Sequence, residues 1–321
     1  MRLNNTQLEL DDNYINEEFI CDCLITQERK KVWAVELDLL TEFFRVCKEN
    51  DIKACAFAGT LLGAVRHKGF IPWDDDADVC MTRDNYEKLL RIGKEKFRHP
   101  YFLQTAQNDS EFWTCCARLR NSETTGIISW NYSSNYNNGI FIDVFAVDGV
   151  PGNELLACIQ KKQLRILRKI LKVYKSPLDA EKRSALSKAL IRLARKTFFR
   201  IADYDKLDDL YHRISSFYNG KTEIVDLISV GGKYSCYERD LLETVEMPFE
   251  SIVIPIPQNS DRVLQMIYGN YMDFPPMEER GQDHKDKIIF DADIPYKTYI
   301  KMNENTKIQW DPKNKTVRLL E

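Results

Sequence analysis

The sequence predicts an α/β protein with a mixed front and a mainly helical back, and three observations predict it. Helical and strand-like periods alternate from residue 28 to residue 149. The stretch from Asn153 to Tyr218 is helical in period, and short strands with turns return in the C-terminal third. The expected division is residues 1–152 as the core, 153–240 as a basic helical region and 241–321 as a small mixed part packing back on the core. A chain of 321 residues, 44% hydrophobic, can bury a large core, and 13 Gly with 11 Pro exclude collagen-like, linker and disordered chains.

The elements follow in order. Residues 28–49 read as an amphipathic helix, with Val32, Val35, Leu39, Phe43 and Val46 at three- and four-residue spacing and Asn50-Asp51 as its stop. Cys55 to Ala58 is strand-like and runs into Gly59-Thr60, after which residues 61–66 read as a short helix opening on that turn. An Ile-Pro-Trp loop leads to a strand over residues 77–81, then to a helix over roughly residues 86–97 that Thr82 or Asp84 caps. Residues 139–147 form a nearly continuous apolar run between turn signals, which is the pattern of a buried strand. The helical region breaks at Ser176-Pro177, and Ile252 to Ile256 is a strand ahead of the stop at Pro275-Pro276.

No apolar run approaches the roughly 20 residues that span a bilayer. The N-terminus leads into Glu9, Asp11 and Asp12 rather than an apolar leader, so a soluble, cytoplasmic protein is expected. Nine cysteines are an odd number, and Cys21/Cys23 and Cys115/Cys116 lack the two-residue gap of a zinc ribbon, so reduced core thiols are expected. The net charge of −3 conceals an asymmetry: residues 161–200 hold fourteen Lys and Arg against Asp179 and Glu181, a balance of +12, which leaves −15 elsewhere.

The chemistry concentrates in Ala58-Gly59-Thr60-Leu61-Leu62-Gly63 and in Trp73-Asp74-Asp75-Asp76-Ala77-Asp78-Val79. If residues 76–81 are extended, Asp76 and Asp78 share a face about 6–7 Å apart along the strand and repel unless a cation sits between them. Such carboxylates with open positions suit Mg²⁺, with Mn²⁺ as the alternative. Asp74 and Asp75 fit a solvated acidic turn. Asp143 stands alone in an apolar strand, which costs several kcal/mol unless it pairs with an Arg or meets a metal. A strand beside Asp76 and Asp78 would make it the third carboxylate of one site. Gly59 and Thr60, at a turn before a helix, would let backbone N–H groups approach a phosphate.

A Gly-Thr turn, a D-x-D strand and a later lone-Asp strand resemble the nucleotidyltransferase superfamily. The fuller string from Gly59 to Val79 resembles the LicD family of phosphorylcholine transferases, related to the fukutin group. Residues 139–145, Tyr268 to Met272 with Pro275-Pro276, Arg118-Leu119-Arg120 and Thr124-Thr125 also match. The resemblance spans about residues 30–150 strongly and 250–300 loosely, whereas residues 153–240 match no motif.

The resemblance implies a nucleotidyltransferase-like core sheet flanked by helices. It also implies transfer of a phosphoalcohol, phosphocholine foremost, from a CDP-alcohol (CDP-choline favoured) to a hydroxyl of a cell-surface glycan or teichoic-acid-type precursor, with CMP released. Asp76, Asp78 and Asp143 would then be the catalytic residues and metal ligands. Asp143 would either complete the metal site or accept the acceptor's proton. Arg66, Lys68, Arg118 and Arg120 are candidate phosphate clamps, Arg66 and Arg120 ahead of the others. A choline head group calls for aromatic faces, for which Trp73 is the first candidate, ahead of Trp130, Tyr132 and Tyr136. His67 lies in the motif string, where contact with a phosphate is one reading and an exposed loop residue the commoner one.

Leu164, Leu167, Ile170 and Leu171 form one apolar stripe of the basic region, and Leu186, Leu190, Leu193 and Ala194 another. A solvated basic face is the default reading there. Next comes peripheral contact with an anionic membrane, at the inner face, where a lipid-linked acceptor would lie. Nucleic acid is discounted, since no recognition module accompanies the charge. Two rivals remain: a nucleotidyltransferase moving an NMP from CTP or ATP to a small alcohol, and a non-catalytic membrane-surface adaptor of this fold. An acidic cluster kept without use would cost stability, which argues against the adaptor.

Overall fold

The computed structural model describes residues 1–3, 5–74, 76–109, 111–128, 136–175, 185–197, 203–280, 288–304, 308–311 and 316–319. A short hairpin, β1 (Glu18–Ile20) and β2 (Cys23–Ile25), leads into α1 (Gln27–Glu49). Thr26 starts this helix by accepting the Arg29 N–H, and Asn50 ends it. The stripe Val32, Val35, Leu39, Phe43 and Val46 is buried, and so are Trp33, Leu37 and Leu40, so that the middle of α1 is enclosed on nearly every side. Its buried Asp38 accepts from the Gln7 and Leu8 N–H groups and the Tyr101 hydroxyl, which offsets the cost of burying a carboxylate there.

The front half continues with β3 (Cys55–Ala56), α2 (Ala58–Arg66), β4 (Asp78–Thr82), α3 (Arg83–Lys96), β5 (Tyr101–Gln104), β6 (Ala117–Asn121), β7 (Thr125–Ile128) and β8 (Ile140–Gly149). Thr82 holds the cap position of α3, but its hydroxyl accepts from the Asn85 side-chain amide rather than from a backbone N–H. The back half comprises α4 (Glu154–Lys175), α5 (Ala185–Lys196) and α6 (Tyr204–Ser215), then β9 (Ile224–Asp226), β10 (Cys236–Tyr237) and α7 (Glu238–Leu242). The chain closes with β11 (Thr244–Phe249), β12 (Ile252–Pro257), α8 (Ser260–Tyr268), β13 (Ile288–Asp291), α9 (Tyr296–Glu304), β14 (Ile308–Asp311) and β15 (Thr316–Leu319).

A seven-stranded mixed sheet organises the molecule, and β8 is its axis, all ten of its residues being buried. It pairs in parallel with β4, from Asp78↔Asp143 to Thr82↔Val147, and antiparallel with β6, from Ala117↔Val144 to Asn121↔Ile140. Its far end pairs with β9 through Asp148↔Asp226. β3, β5 and β10 are added outside β4, β6 and β9. The sheet therefore reaches into residues 224–237, inside the stretch expected to be helical.

Periodicity alone did not point to β6. Two Arg and an Asn among its five residues look like a solvated segment, yet all five are buried because their polar groups are satisfied internally. Buried residues of the C-terminal part, among them Phe249, Ile254, Ile256 and Leu264, share one core cluster with α1 and β8. A second cluster joins Val150, Leu164, Leu167 and Leu171 to Tyr211 and Ile228. All nine cysteines are free thiols, five of them buried, with Cys55 and Cys80 Sγ 3.8 Å apart. Among the described residues no helix is long and apolar enough to cross a membrane.

Candidate metal and phosphate site

The parallel register of β4 and β8 sets Asp78 directly beside Asp143. Asp76 lies two residues ahead of β4, outside the strand, and the segment bearing it is tied to β8 by the Asp143 N–H bonding the Ala77 carbonyl at 2.9 Å. One ligand oxygen from each of Asp76, Asp78 and Asp143 lies within 4.8 Å of the other two. Asp143 is buried, whereas Asp76 and Asp78 are half-buried. The backbone of Asp78 is held at both polar groups. Its N–H donates to Thr60 Oγ1 at 2.7 Å, and its carbonyl accepts the Phe57 N–H at 3.1 Å.

Like charges at this spacing oppose one another. Burial pushes the Asp78 carboxyl well up, and Asp76, Asp143 and Asp74 push it further. The compensating charge comes from β6, where Arg118 lies opposite Asp143. Its Nε donates to Oδ1 at 2.7 Å and its Nη2 to Oδ2 at 3.3 Å, a two-point fork. The Cys116 thiol adds a contact to Oδ1 at 3.6 Å, and the Arg118 guanidinium lies 3.9 Å over the Phe141 ring. Burial disfavours the charged form of Arg118, but Asp143 beside it outweighs that effect and holds the side chain as a cation. Oxygen donors from three carboxylates converging in this way fit a hard divalent cation such as Mg²⁺ or Mn²⁺.

A second acid on β8, Asp148, serves the fold instead. It is fully buried, accepting from Arg83 Nε and from the Asn219 side chain at 3.0 Å each.

The remaining sequence candidates take several places. Gly59 is the second residue of α2, and a Cβ there would come within 2.5 Å of Asp74 Oδ2, so any larger residue would displace the Asp74 carboxylate. Thr60 is buried, and its hydroxyl positions Asp78. Arg66 donates through Nη1 to the Tyr271 and Asp273 carbonyls at 2.7 and 3.1 Å, tying α2 to the turn after α8. The clamp expected of Arg120 does not fit its place. The residue is 0% exposed and donates to Gln104 Oε1 and the Gly139 carbonyl, while burial and the adjacent Arg118 push its charged form down. Arg118 likewise spends its fork on Asp143. Lys68 is exposed.

Trp73 is half-buried in an arginine–aromatic stack. Arg280 lies 4.7 Å and Arg66 5.9 Å from its ring, with His67 edge-on at 5.7 Å and Phe274 at 5.7 Å. His67, expected to be exposed, is half-buried instead and stacks on Phe274; burial and Arg66 push its pKa down to about 4. Tyr136 is buried against Phe112 in the interior, and Trp130 and Tyr132 lie outside the described residues. One site neighbour had no role in the sequence reading. Tyr268, the last residue of α8, is close enough to the acids that Asp78, Asp74 and Asp76 add to the effect of burial and Tyr234 in raising its hydroxyl. Its motif Tyr268-Gly269 was visible, but nothing local connects it to residues 74–78.

Comparison with known proteins adds a separate line of observation. A sequence-family model described as LicD/FKTN/FKRP, nucleotidyltransferase domain, matches residues 51–163. The lipopolysaccharide cholinephosphotransferase LicD of Haemophilus influenzae is 26% identical over 254 residues, covering 77% of this chain and 92% of that protein. Shorter matches occur to an uncharacterized protein of Rickettsia prowazekii, 41% identical over 54 residues (17% of this chain, 20% of that one). A Rickettsia typhi protein, also uncharacterized, is 49% identical over 47 residues (15% of each chain).

Proposed function

From the premise that residues 51–163 are a LicD-family nucleotidyltransferase domain, we propose that this protein is a transferase that moves phosphocholine from CDP-choline to a hydroxyl of a cell-surface glycan precursor and releases CMP. The observation that carries the reading is the convergence of Asp76, Asp78 and Asp143 within 4.8 Å. The similarity to a lipopolysaccharide cholinephosphotransferase along most of the chain supports phosphocholine as the group and a glycan as its destination.

In this reading Asp76, Asp78 and Asp143 hold Mg²⁺. Bound there, the cation neutralises charge on the donor's diphosphate and polarises the phosphoryl oxygens. The chain's own residues prepare the site. Arg118 orients the Asp143 side chain through its fork, one donor on each carboxyl oxygen. Thr60 fixes the backbone of Asp78, and Gly59 lets the Asp74 turn approach α2. Trp73 and Phe274 already accept guanidinium cations on their faces, the kind of contact a quaternary ammonium requires.

The test is a thermal-shift panel of CDP-choline, CDP-ribitol, CDP-glycerol, CDP, CTP and ATP, each with Mg²⁺ and with EDTA. A ligand at about 100 times its Kd stabilises by roughly 2.7 kcal/mol. CDP-choline should raise Tm beyond CDP, only with the metal, and Asp76→Asn should abolish both that shift and turnover. A shift from CTP or ATP with none from any CDP-alcohol would overturn the reading in favour of nucleotidyl transfer. Glycan modification that survives Asp76→Asn would point to a non-catalytic adaptor.

A further inference from the structure

α4 carries two apolar lines, and the structure covers one of them. Leu164, Leu167 and Leu171 pack into the second core against Tyr211 of α6. The other line is open: Leu155 is 68% exposed, Ile159 45% and Ile166 52%, with Leu156 beside them at 43%. Spacings of four and seven residues place Leu155, Ile159 and Ile166 within about 40° of one another around the helix. Lys162 and Lys169 stand in the same line and Arg165 and Lys172 border it, all four exposed. Glu154, at the N-terminus, is the single acidic residue of this 22-residue helix. α5 continues the character, with Leu193 59% exposed and Arg192 and Lys196 exposed beside it.

We propose that this open face of α4 is an interfacial face that seats the protein on an anionic lipid bilayer. The interleaving of isoleucine and lysine along one line selects that occupant. The branched side chains enter the acyl boundary, while the lysine stems lie along it and lift their ammonium groups to the head groups. The charge is complementary to anionic lipid, with the exposed Lys162, Arg165, Lys169 and Lys172 all cationic and no acid among them. A second copy of the chain is a poor occupant, because a two-fold contact would set this basic face against itself. Nucleic acid would give the exposed Leu155, Ile159 and Ile166 nothing to bury against. The inference stands independently of the transferase reading, since it concerns a different face and a different ligand.

The test is flotation of the full chain with phosphatidylcholine vesicles and with vesicles containing about 30 mol% phosphatidylglycerol, at low and high salt. The expected result is at least about tenfold greater partitioning onto the anionic vesicles, weakening with salt. Ile159→Asp with Ile166→Asp should lower it about tenfold or more, and Lys162→Glu with Lys169→Glu should do the same. Because all four residues are exposed, both variants should keep the wild-type Tm and far-UV spectrum, which separates lost docking from lost folding. Equal partitioning onto both vesicle types would overturn the proposal. So would retention of full binding by the isoleucine variant, which would reduce it to plain charge adsorption. A wild-type dimer that Ile159→Asp dissociates, without vesicle binding, would assign the face to a second copy instead.

Discussion

Replacing Arg118 with Met tests whether this guanidinium is the counter-charge that Asp143 depends on inside the sheet. The pair meets at 2.7 and 3.3 Å, with 11% and 12% of the two side chains exposed. At about 3 Å and an effective dielectric of about 20, the attraction is on the order of 5 kcal/mol. Breaking one side of such a buried pair costs about 3–5 kcal/mol, because the remaining charge has no partner. The other acids at this site sharpen that cost. At about 2 °C per kcal/mol for a chain of this size, Arg118→Met should lower Tm by about 6–10 °C in EDTA. Arg118→Lys, which keeps the charge and loses the fork, should fall about midway. Combining Arg118→Met with Asp143→Asn should recover much of the loss, with a coupling energy of about 2 kcal/mol or more. Saturating Mg²⁺ should restore part of the Tm of the single variant, since a cation at the acids replaces the missing charge. Scanning calorimetry in EDTA and in Mg²⁺ measures all of these. A Tm for Arg118→Met within about 2 °C of wild type would refute the reasoning, because the fork would then contribute no more than an exposed pair.

Thr60→Val keeps the shape of a buried side chain but removes the acceptor of the Asp78 N–H, so chemical denaturation should show a loss of about 1–3 kcal/mol and a weaker stabilisation by Mg²⁺. An unchanged Mg²⁺ response would mean that Thr60 does not position Asp78. His67 is held near 4, below its ordinary 6.5, so the folded state binds fewer protons than the unfolded chain between those values. Its contribution is therefore complete above about pH 6.5 and is lost as pH falls towards 4. His67→Phe, which preserves the stack on Phe274, should gain Tm relative to wild type as pH drops from 7 to 4.5. A constant difference between the two across that range would show that His67 is not buried neutral.

What the sequence determined by itself was local. The stripe of α1, the apolar run around Asp143 and the D-x-D of Asp76 and Asp78 are patterns within a few residues, and periodicity and burial cost are properties of such windows. The participants of the acidic site were legible for that reason. Which of them meet was decided by strand pairing between distant segments. The register Asp78↔Asp143 sets two carboxylates side by side, and Arg118↔Asp143 supplies the counter-charge from a strand whose arginines look solvated in the sequence. The same pairing places Arg120 one step along β6, opposite Phe141 and wholly inside, so two arginines two residues apart have different fates. Thr60, read as a phosphate contact, holds a backbone N–H instead, because the first turn of α2 packs on the first residue of β4. In α4 the sequence shows an apolar helix rich in lysine. Only the docking of α6 decides that Leu164, Leu167 and Leu171 are core while Leu155, Ile159 and Ile166 face outward. Side-chain chemistry is written residue by residue, but the partner that satisfies a charge or covers a face comes from elsewhere in the chain, and only the fold brings it there.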